Sequence, residues 1–175
     1  MTPEEQARKA DAEDKPLQAT MAYERVLNEG GGDLQFCLDA ALVYLQCCDG
    51  GYIAAHRLPS DLVQRAYERA LQILDQAERR FGAYNELDFW RYYLDFLVLG
   101  RDADPRKCEA IAVRGPSLVP YFHLYALSGG ERFESQARQL LEEMKEGRTA
   151  RQRHIRSVLK SRALHKDLTS GQDKS

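Results

Sequence analysis

The chain has 175 residues, about the size of one domain, and apolar residues make up 43% of it. This composition excludes an intrinsically disordered protein, and the longest apolar runs, such as AALVYL, are far shorter than the ~20 residues of a membrane-spanning helix. The formal net charge of −2 is unevenly distributed, since residues 147–175 carry +6 and the first 146 residues carry −8. An acidic body with a basic tail favours a partner of mixed or negative charge.

The N-terminus and the cysteines indicate an intracellular protein. The opening MTPEEQARKADAEDKP is polar and charged, the reverse of a secretory signal, and the four cysteines form no C-x-x-C pair. We therefore expect reduced thiols. Residues 1–15 lack large apolar side chains, and we expect them to form a flexible lead or a frayed helix.

From Pro16 onward, the apolar spacing predicts helices. The first helix ends at NEGGGD, where the glycines favour a turn that connects two helices. Its inward face is predicted to hold Leu17, Met21, Val26 and Leu27, with Tyr23 at the border. Asp33 then caps a second helix that runs to about residue 48.

DGGYIAAHRLP reads as a long connection to a third helix, which Ser60 caps and Gly82 ends. The inward positions of this third helix are predicted to be Leu62, Ala66, Ala70, Ile73, Leu74 and Ala77.

A fourth helix opens at Asn85 and stops at Gly100. Asp104 followed by Pro105 starts a short fifth helix, which Gly115 ends. The sixth is LVPYFHLYAL, and two more follow at about 131–146 and 149–164. No stretch alternates apolar and polar residues as a strand does, so the chain is predicted to be all-α.

A short motif occurs twice. AYERVL stands at residues 22–27 and AYERAL at residues 66–71, and an aromatic-rich helix follows each copy. Chance similarity between good helix formers is one explanation. The other is a repeat of helix pairs, in which neighbouring pairs share a continuous core.

The residues Trp90, Tyr93 and Phe96 favour the repeat. Their W-x-x-Y-x-x-F spacing places three rings on neighbouring parts of one helical face. Together with RAYERAL and MAYERVL, this constellation resembles the half-a-TPR (HAT) repeat, whose first helix carries W-x-x-Y-x-x-F-E and whose second carries A-x-x-I-Y-E-R-A-L. Leu97 stands in place of the family's Glu. In the third round, EAIAVRG keeps Ile111 and Arg114 of the family pattern, and Gly115 stands where alanine is usual.

The resemblance covers residues 17–128 and implies a right-handed α-solenoid of TPR/HAT-like helix pairs with about seven to eight helices. We accordingly expect repeats over 16–130, C-terminal helices over 131–166 with a basic last helix, and a disordered tail over 167–175.

A narrower likeness is to the HAT-repeat subunits of the small-subunit processome. It rests on the pattern D-x-W-x-x-Y followed by P-x-x-C-x-x-I-x-x-R, which is filled here by Asp88, Trp90, Tyr93, Pro105, Cys108, Ile111 and Arg114. Those subunits are longer chains, so this sequence would correspond to their C-terminal region or to a shortened form. The resemblance implies protein partners in a large nucleolar ribonucleoprotein assembly that matures pre-18S rRNA.

No catalytic motif stands out, and we expect no cofactor and no metal. Buried thiols are a better interpretation of the cysteines than zinc ligands. Aromatic residues on two helices exceed what packing requires, and we expect some of them to line a concave groove for a protein partner. The candidates for this partner groove are Tyr92, Tyr121, Phe122 and Tyr125.

The basic helix TARQRHIRSVLKSRALHK is the best candidate for contact with RNA or an acidic partner, by non-specific attraction to phosphates. Its candidate contact residues are Arg148, Arg151, Arg153, Arg156, Lys160 and Arg162. The alternative is a solvated helix docked through Ile155, Val158 and Leu159.

These observations predict a non-enzymatic helical scaffold in an RNA-processing complex, located by resemblance in the nucleolus and not in a membrane. The alternative is a free-standing TPR-like peptide-binding adaptor or co-chaperone.

Overall fold

The structure is a computed structural model that describes the backbone of residues 1–170 and the side chains of residues 1–161. The described part is all-helical, as predicted, and contains ten helices where seven to eight were expected. They are α1 (Pro3–Ala12), α2 (Pro16–Asn28), α3 (Leu34–Gln46), α4 (Gly50–His56), α5 (Ser60–Phe81), α6 (Asn85–Val98), α7 (Pro105–Ala112), α8 (Pro120–Leu127), α9 (Glu134–Glu143) and α10 (Ala150–Ser170).

The first additional helix, α1, replaces the expected flexible lead. Thr2 and Glu5 form a reciprocal capping box at its start, and Pro3 occupies the first turn. Ala7 is fully buried, and α1 packs closely along α2. Alanines bring two helices close together while adding little apolar signal to the sequence, so the sequence indicated only a flexible lead or a frayed helix here.

The second additional helix, α4, lies inside the segment expected to be a connection. The Asp49 carboxylate accepts a hydrogen bond from the backbone N–H of Tyr52 at 2.7 Å and caps the helix. Arg57 ends it in the left-handed conformation. The Tyr52 hydroxyl donates a hydrogen bond to Asp14 beyond the end of α1, which ties α4 to the N-terminal part of the fold.

The buried face of α2 differs from the predicted one. Leu17 and Met21 are 46% and 67% exposed, whereas Tyr23, placed at the border, is fully buried. The ring of Tyr23 lies 4.7 Å from that of Phe36 on α3, and its hydroxyl donates a hydrogen bond to Asp11 on α1. Contacts with α1 and α3 on either side of α2 therefore bury a different face of this helix from the one that the apolar spacing alone predicts.

Other elements follow the sequence closely. The six inward positions predicted for α5 are its six buried residues. Asp33 caps α3 and Asp104 caps α7, each through its side chain, as predicted. The predicted N-cap Ser60 is the first residue inside α5, and Pro59 holds the cap position.

The glycine-rich segment NEGGGD connects α2 and α3, as predicted. The guanidinium of Arg80 donates hydrogen bonds to the carbonyls of Gly30, Gly31 and Gly32 at 2.9–3.0 Å. A side chain from α5 thus fixes a connection that would otherwise have few partners.

The helices pack mainly against their neighbours in the chain, from α1 on α2 through α8 on α9. There are two exceptions: α3 packs on α5 across the short α4, and α10, besides contacting its neighbour α9, returns across α3 and α8. It extends to residue 170, beyond the predicted end at residue 166, and residues 171–175 of the expected disordered tail lie outside the described residues.

The two AYER copies face each other without being equivalent. Glu24 of the first copy accepts two hydrogen bonds from Arg69 of the second, at 2.7 and 2.8 Å. The hydroxyl of Tyr44 on α3 donates to the same carboxylate. The corresponding residues Arg25 and Glu68 are exposed, so the two copies are rotated differently about their helix axes.

We predict that Gly115→Ala lowers the free energy of unfolding by about 1–3 kcal/mol. A Cβ at residue 115 would lie 2.6 Å from the side-chain oxygen of Asn85, which is buried and hydrogen-bonded to the backbone of Ser117. The matched control is Gly50→Ala, where a Cβ meets no atom within 4 Å. Urea denaturation of both variants tests this, and equal stability of the two would contradict the steric argument.

Candidate partner-binding surfaces

The aromatic residues predicted to line an open groove are instead mostly part of the core. Tyr92, Phe122 and Tyr125 are buried. Tyr121 is partly buried, with its ring 5.4 Å from that of Phe133. An open groove lined by all four residues is therefore wrong, and Phe122 lies beneath α10, with its ring 6.0 Å from that of His154.

The rings of α6 and α8 form one aromatic cluster that includes two histidines. Tyr93 lies within 5.5 Å of the rings of Phe89, Phe122, His123 and His154, measured between centroids. The Tyr93 hydroxyl also lies 2.9 Å from Nε2 of His154. Burial, and secondarily the neighbouring His154, lower the pKa of His123 to about 4, so His123 is neutral at pH 7.

The basic helix is docked on the core through the three predicted apolar residues. Ile155 and Leu159 are buried, and Val158 packs against the same core. These are the three residues of the docking alternative, and their burial places α10 inside the fold.

Arg151 lies in the interior, contrary to its predicted role as an RNA contact. Its guanidinium donates to Asp39 of α3 at 2.9 Å and to Glu86 of α6 at 2.6 Å. Its third nitrogen donates to Gln35 at 2.6 Å. Burial opposes the charge on Arg151, but Glu86 and Asp39 outweigh it and raise its pKa above the ordinary value. With two carboxylates as counterions, Arg151 has no free charge to offer a phosphate.

Arg153 binds the end of α1. It donates to the backbone carbonyl of Asp11 at 2.8 Å and to the Asp11 carboxylate at 3.1 Å. Asp14 forms a second ion pair with it at 3.3 Å. Burial raises the pKa of Asp11 to about 6, despite the opposing effect of Arg153. Like Arg151, Arg153 is neutralised within the chain.

The other predicted contact residues remain nearer to solvent. Arg148 is exposed and pairs with Glu146 at 3.0 Å, Lys160 is exposed, and Arg156 is half-buried. The side chain of Arg162 lies outside the described residues.

Two clefts open between helices, and of the four predicted groove residues only Tyr92 lines one of them, the second. The first, of about 530 Å³, lies between α2 and α5 and is lined by the exposed Leu17 and Met21 together with the Glu24–Arg69 pair. The second, of about 570 Å³, involves α5, α6 and α7 and holds Arg91, which pairs with Asp75, Glu78 and Asp88. The apolar residues of α2 were the available signal, but they were read as core.

The cysteines have the character of buried thiols. Burial raises the pKa of Cys47 to about 12 and that of Cys48 to about 11. Cys108 is also buried, and burial raises its pKa to about 12. A thiolate nucleophile at neutral pH would require the opposite shift.

Among the described residues, no group of three His, Cys, Asp or Glu side chains is arranged to hold a metal ion. Within the same part of the chain, no helix has the length and apolar character needed to cross a membrane. Compared with protein-family models, curated proteins and solved structures, the chain matches none of them.

We predict that Arg151→Met lowers the free energy of unfolding by about 3–5 kcal/mol, because Asp39 and Glu86 would remain buried without a counterion. The matched control Arg148→Met removes an exposed pair and should change stability by no more than about 0.5 kcal/mol. Thermal and urea denaturation measure both. A loss below about 1 kcal/mol for Arg151→Met would show that the buried pair contributes little.

We also predict that His123 destabilises the fold as the pH falls. Its pKa is about 4 in the fold and 6.5 in the unfolded chain, so the unfolded chain binds more protons between these values. Stability is therefore complete above pH 6.5 and is lost as the pH falls toward 4. From pH 7 to pH 5 this one residue should remove about 2 kcal/mol.

The measurement compares the wild type with His123→Phe in urea at the two pH values. Asp11, whose raised pKa acts in the opposite direction between about 3.8 and 6, is present in both proteins and cancels in the difference. An equal loss of stability in both proteins would exclude His123 as a source of acid sensitivity.

Proposed function

We propose that this chain is a non-enzymatic helical-repeat scaffold in an RNA-processing assembly, with the small-subunit processome and pre-18S rRNA maturation as the assembly suggested by resemblance. The observation that carries the proposal is the packing of helices in chain order, with the two AYER copies joined through Glu24 and Arg69. In this proposal, α1/α2, α3/α5, α6/α7 and α8/α9 are the TPR/HAT-like pairs.

The residues that carry the family resemblance contribute to packing. Trp90, Tyr93, Cys108 and Ile111 are buried. Asp88 and Arg114 form an ion pair at 3.2 Å that joins α6 to the residues after α7. This is the behaviour expected of a scaffold motif, whose side chains hold helices together rather than face a substrate.

The clefts beside α5 are the surfaces we assign to protein partners. Leu17 and Met21 present apolar area at the first cleft, next to charged groups that can fix the register of a bound segment. Of the four aromatic residues named from the sequence, Tyr92 lines the second cleft, whereas Phe122 and Tyr125 are buried in the core.

Fewer residues are available for an RNA contact than the sequence suggested. Arg151 and Arg153 are paired inside the chain, which leaves Arg148, Arg156 and Lys160 among the described candidates. Such a contact would be non-specific and sensitive to salt.

The alternative, a peptide-binding adaptor, is favoured by one observation. A helix, α10, lies across helices that are distant from it in the chain and contacts them through both polar and apolar side chains. This is a helix-in-groove arrangement within one chain.

Affinity purification of the tagged full chain from eukaryotic cells tests the scaffold proposal. We expect nucleolar proteins and U3 small nucleolar RNA to co-purify. Recovery of chaperones or of single peptide-bearing partners without nucleolar proteins would favour the adaptor and reject the processome.

The same purification tests the RNA contact with the variant Arg148→Glu/Arg156→Glu/Lys160→Glu. We expect several-fold less RNA at unchanged protein recovery. The control Arg57→Glu/Arg79→Glu/Arg106→Glu reverses three exposed arginines elsewhere. Equal RNA recovery with both variants would show that α10 does not touch RNA.

A further inference from the structure

Three buried carboxylates line the side of the fold that α10 covers, and we name them the carboxylate site. Asp11 comes from α1, Asp39 from α3 and Glu86 from α6, and each is no more than 5% exposed. An uncompensated carboxylate in such surroundings is strongly unfavourable, so this arrangement requires a cationic occupant.

Two of the carboxylates are oriented by the body of the protein itself. Tyr23 donates a hydrogen bond to Asp11 at 3.0 Å. Trp90 and Ser117 each donate to Glu86 at 2.9 Å. These three donors belong to the rest of the fold and not to α10, and therefore position acceptors for a cation that another segment supplies.

That cation is supplied by α10. In the described part of the chain, all ion pairs of the carboxylate site are made by Arg151 and Arg153. Asp39 receives its described hydrogen bonds from α10 and the residue before it, namely from Arg151 and from the hydroxyl of Thr149 at 3.0 Å.

The start of α10 has its own capping hydrogen bonds between Thr149 and Gln152, but its charges are unfavourable in the separate helix. Arginines in a first turn oppose the helix dipole, and the first turn of α10 contains no acidic residue. Asp11 supplies the negative charge that this turn lacks, since its carboxylate accepts a hydrogen bond from the backbone N–H of Ala150 at 2.7 Å. The arginine charges that destabilise the first turn of the separate helix become favourable when α10 docks against the carboxylates.

The contacts of α10 also define which helix sequence fits the carboxylate site. Thr149 and Ala150 meet Asp39 and Asp11, and Arg151 bridges two helices. Arg153 reaches the end of α1, and Ile155 is the first buried apolar anchor. The fitting helix therefore begins Thr-Ala-Arg-x-Arg-x-Ile.

We propose that the carboxylate site is a receptor for an arginine-bearing helix, that α10 occupies it as a built-in ligand, and that a helix of the same chemistry on a partner protein competes with α10 for it. This inference does not depend on which assembly the chain belongs to, and it concerns a different surface from the clefts beside α5.

The test uses the full chain with a protease site inserted after Glu146, between α9 and α10. After cleavage, a fluorescent peptide with the sequence of residues 148–175 is added and its anisotropy is measured. We expect the labelled peptide to exchange with the cleaved α10 and to be displaced by unlabelled peptide. The peptide with Arg151→Met should bind at least ~100-fold more weakly, since the loss of one partner of a buried pair is a large effect.

Two further peptides sharpen the test. Arg151→Lys keeps the charge but cannot reproduce the three hydrogen bonds to Asp39, Glu86 and Gln35, so we expect about tenfold or greater weakening. Arg148→Met changes a residue whose ion pair is with Glu146, outside the peptide, and should bind like the wild type.

Three results would overturn the proposal. The first is that no exchange occurs after cleavage. The second is that peptide binding is insensitive to Arg151. The third is that the body loses its helical circular dichroism when α10 leaves, which would make α10 an ordinary core element. Hydrogen exchange on the uncleaved chain provides an independent check, because α10 amides should exchange together before those of α3 and α6.

Discussion

The ion pairs of Arg151 connect the C-terminal helix α10 to α3 and α6, which lie far away in the chain. The buried guanidinium of Arg151 joins α3, α6 and α10 through Asp39, Glu86 and Gln35. The rigid, planar guanidinium reaches three acceptors through three separate nitrogens, whereas the donors of a lysine all lie on one nitrogen. Around it, Arg153 and Ala150 attach α10 to the end of α1, so that the N-terminal and C-terminal helices share one polar centre.

The aromatic cluster beside this centre depends on the same docking. His154 of α10 enters the cluster of Trp90, Tyr93 and Phe122, and Ile155 is buried on the same helix. The polar centre fixes where the first turn of α10 lies, and the apolar anchors then cover the rings. The aromatic residues that exceed the packing needs of the separate helices therefore pack into the core of the tertiary structure.

The polar centre also changes how the charge distribution should be interpreted. The acidic body and basic tail are complementary parts of one chain, because Asp11, Asp39 and Glu86 receive Arg151 and Arg153. Part of the positive charge that suggested binding to a nucleic acid is therefore neutralised by ion pairs within the chain. What remains for partners is the outer side of α10 and the clefts beside α5, and the proposed exchange of α10 would expose the acidic centre as well.

The sequence by itself determined the helical class, the caps at Asp33 and Asp104, and the complete buried face of α5, because these depend on local hydrogen bonds and on the 3.6-residue period of one helix. It did not determine α1, whose alanines carry little apolar signal, or the rotation of α2 that leaves Met21 exposed. It also left open whether α10 contacts RNA or an acidic partner or is a solvated helix docked through its apolar residues. Only the tertiary structure decided the first two points and the docking of α10, since the burial of Arg151 depends on carboxylates from α3 and α6 that lie far away in the chain.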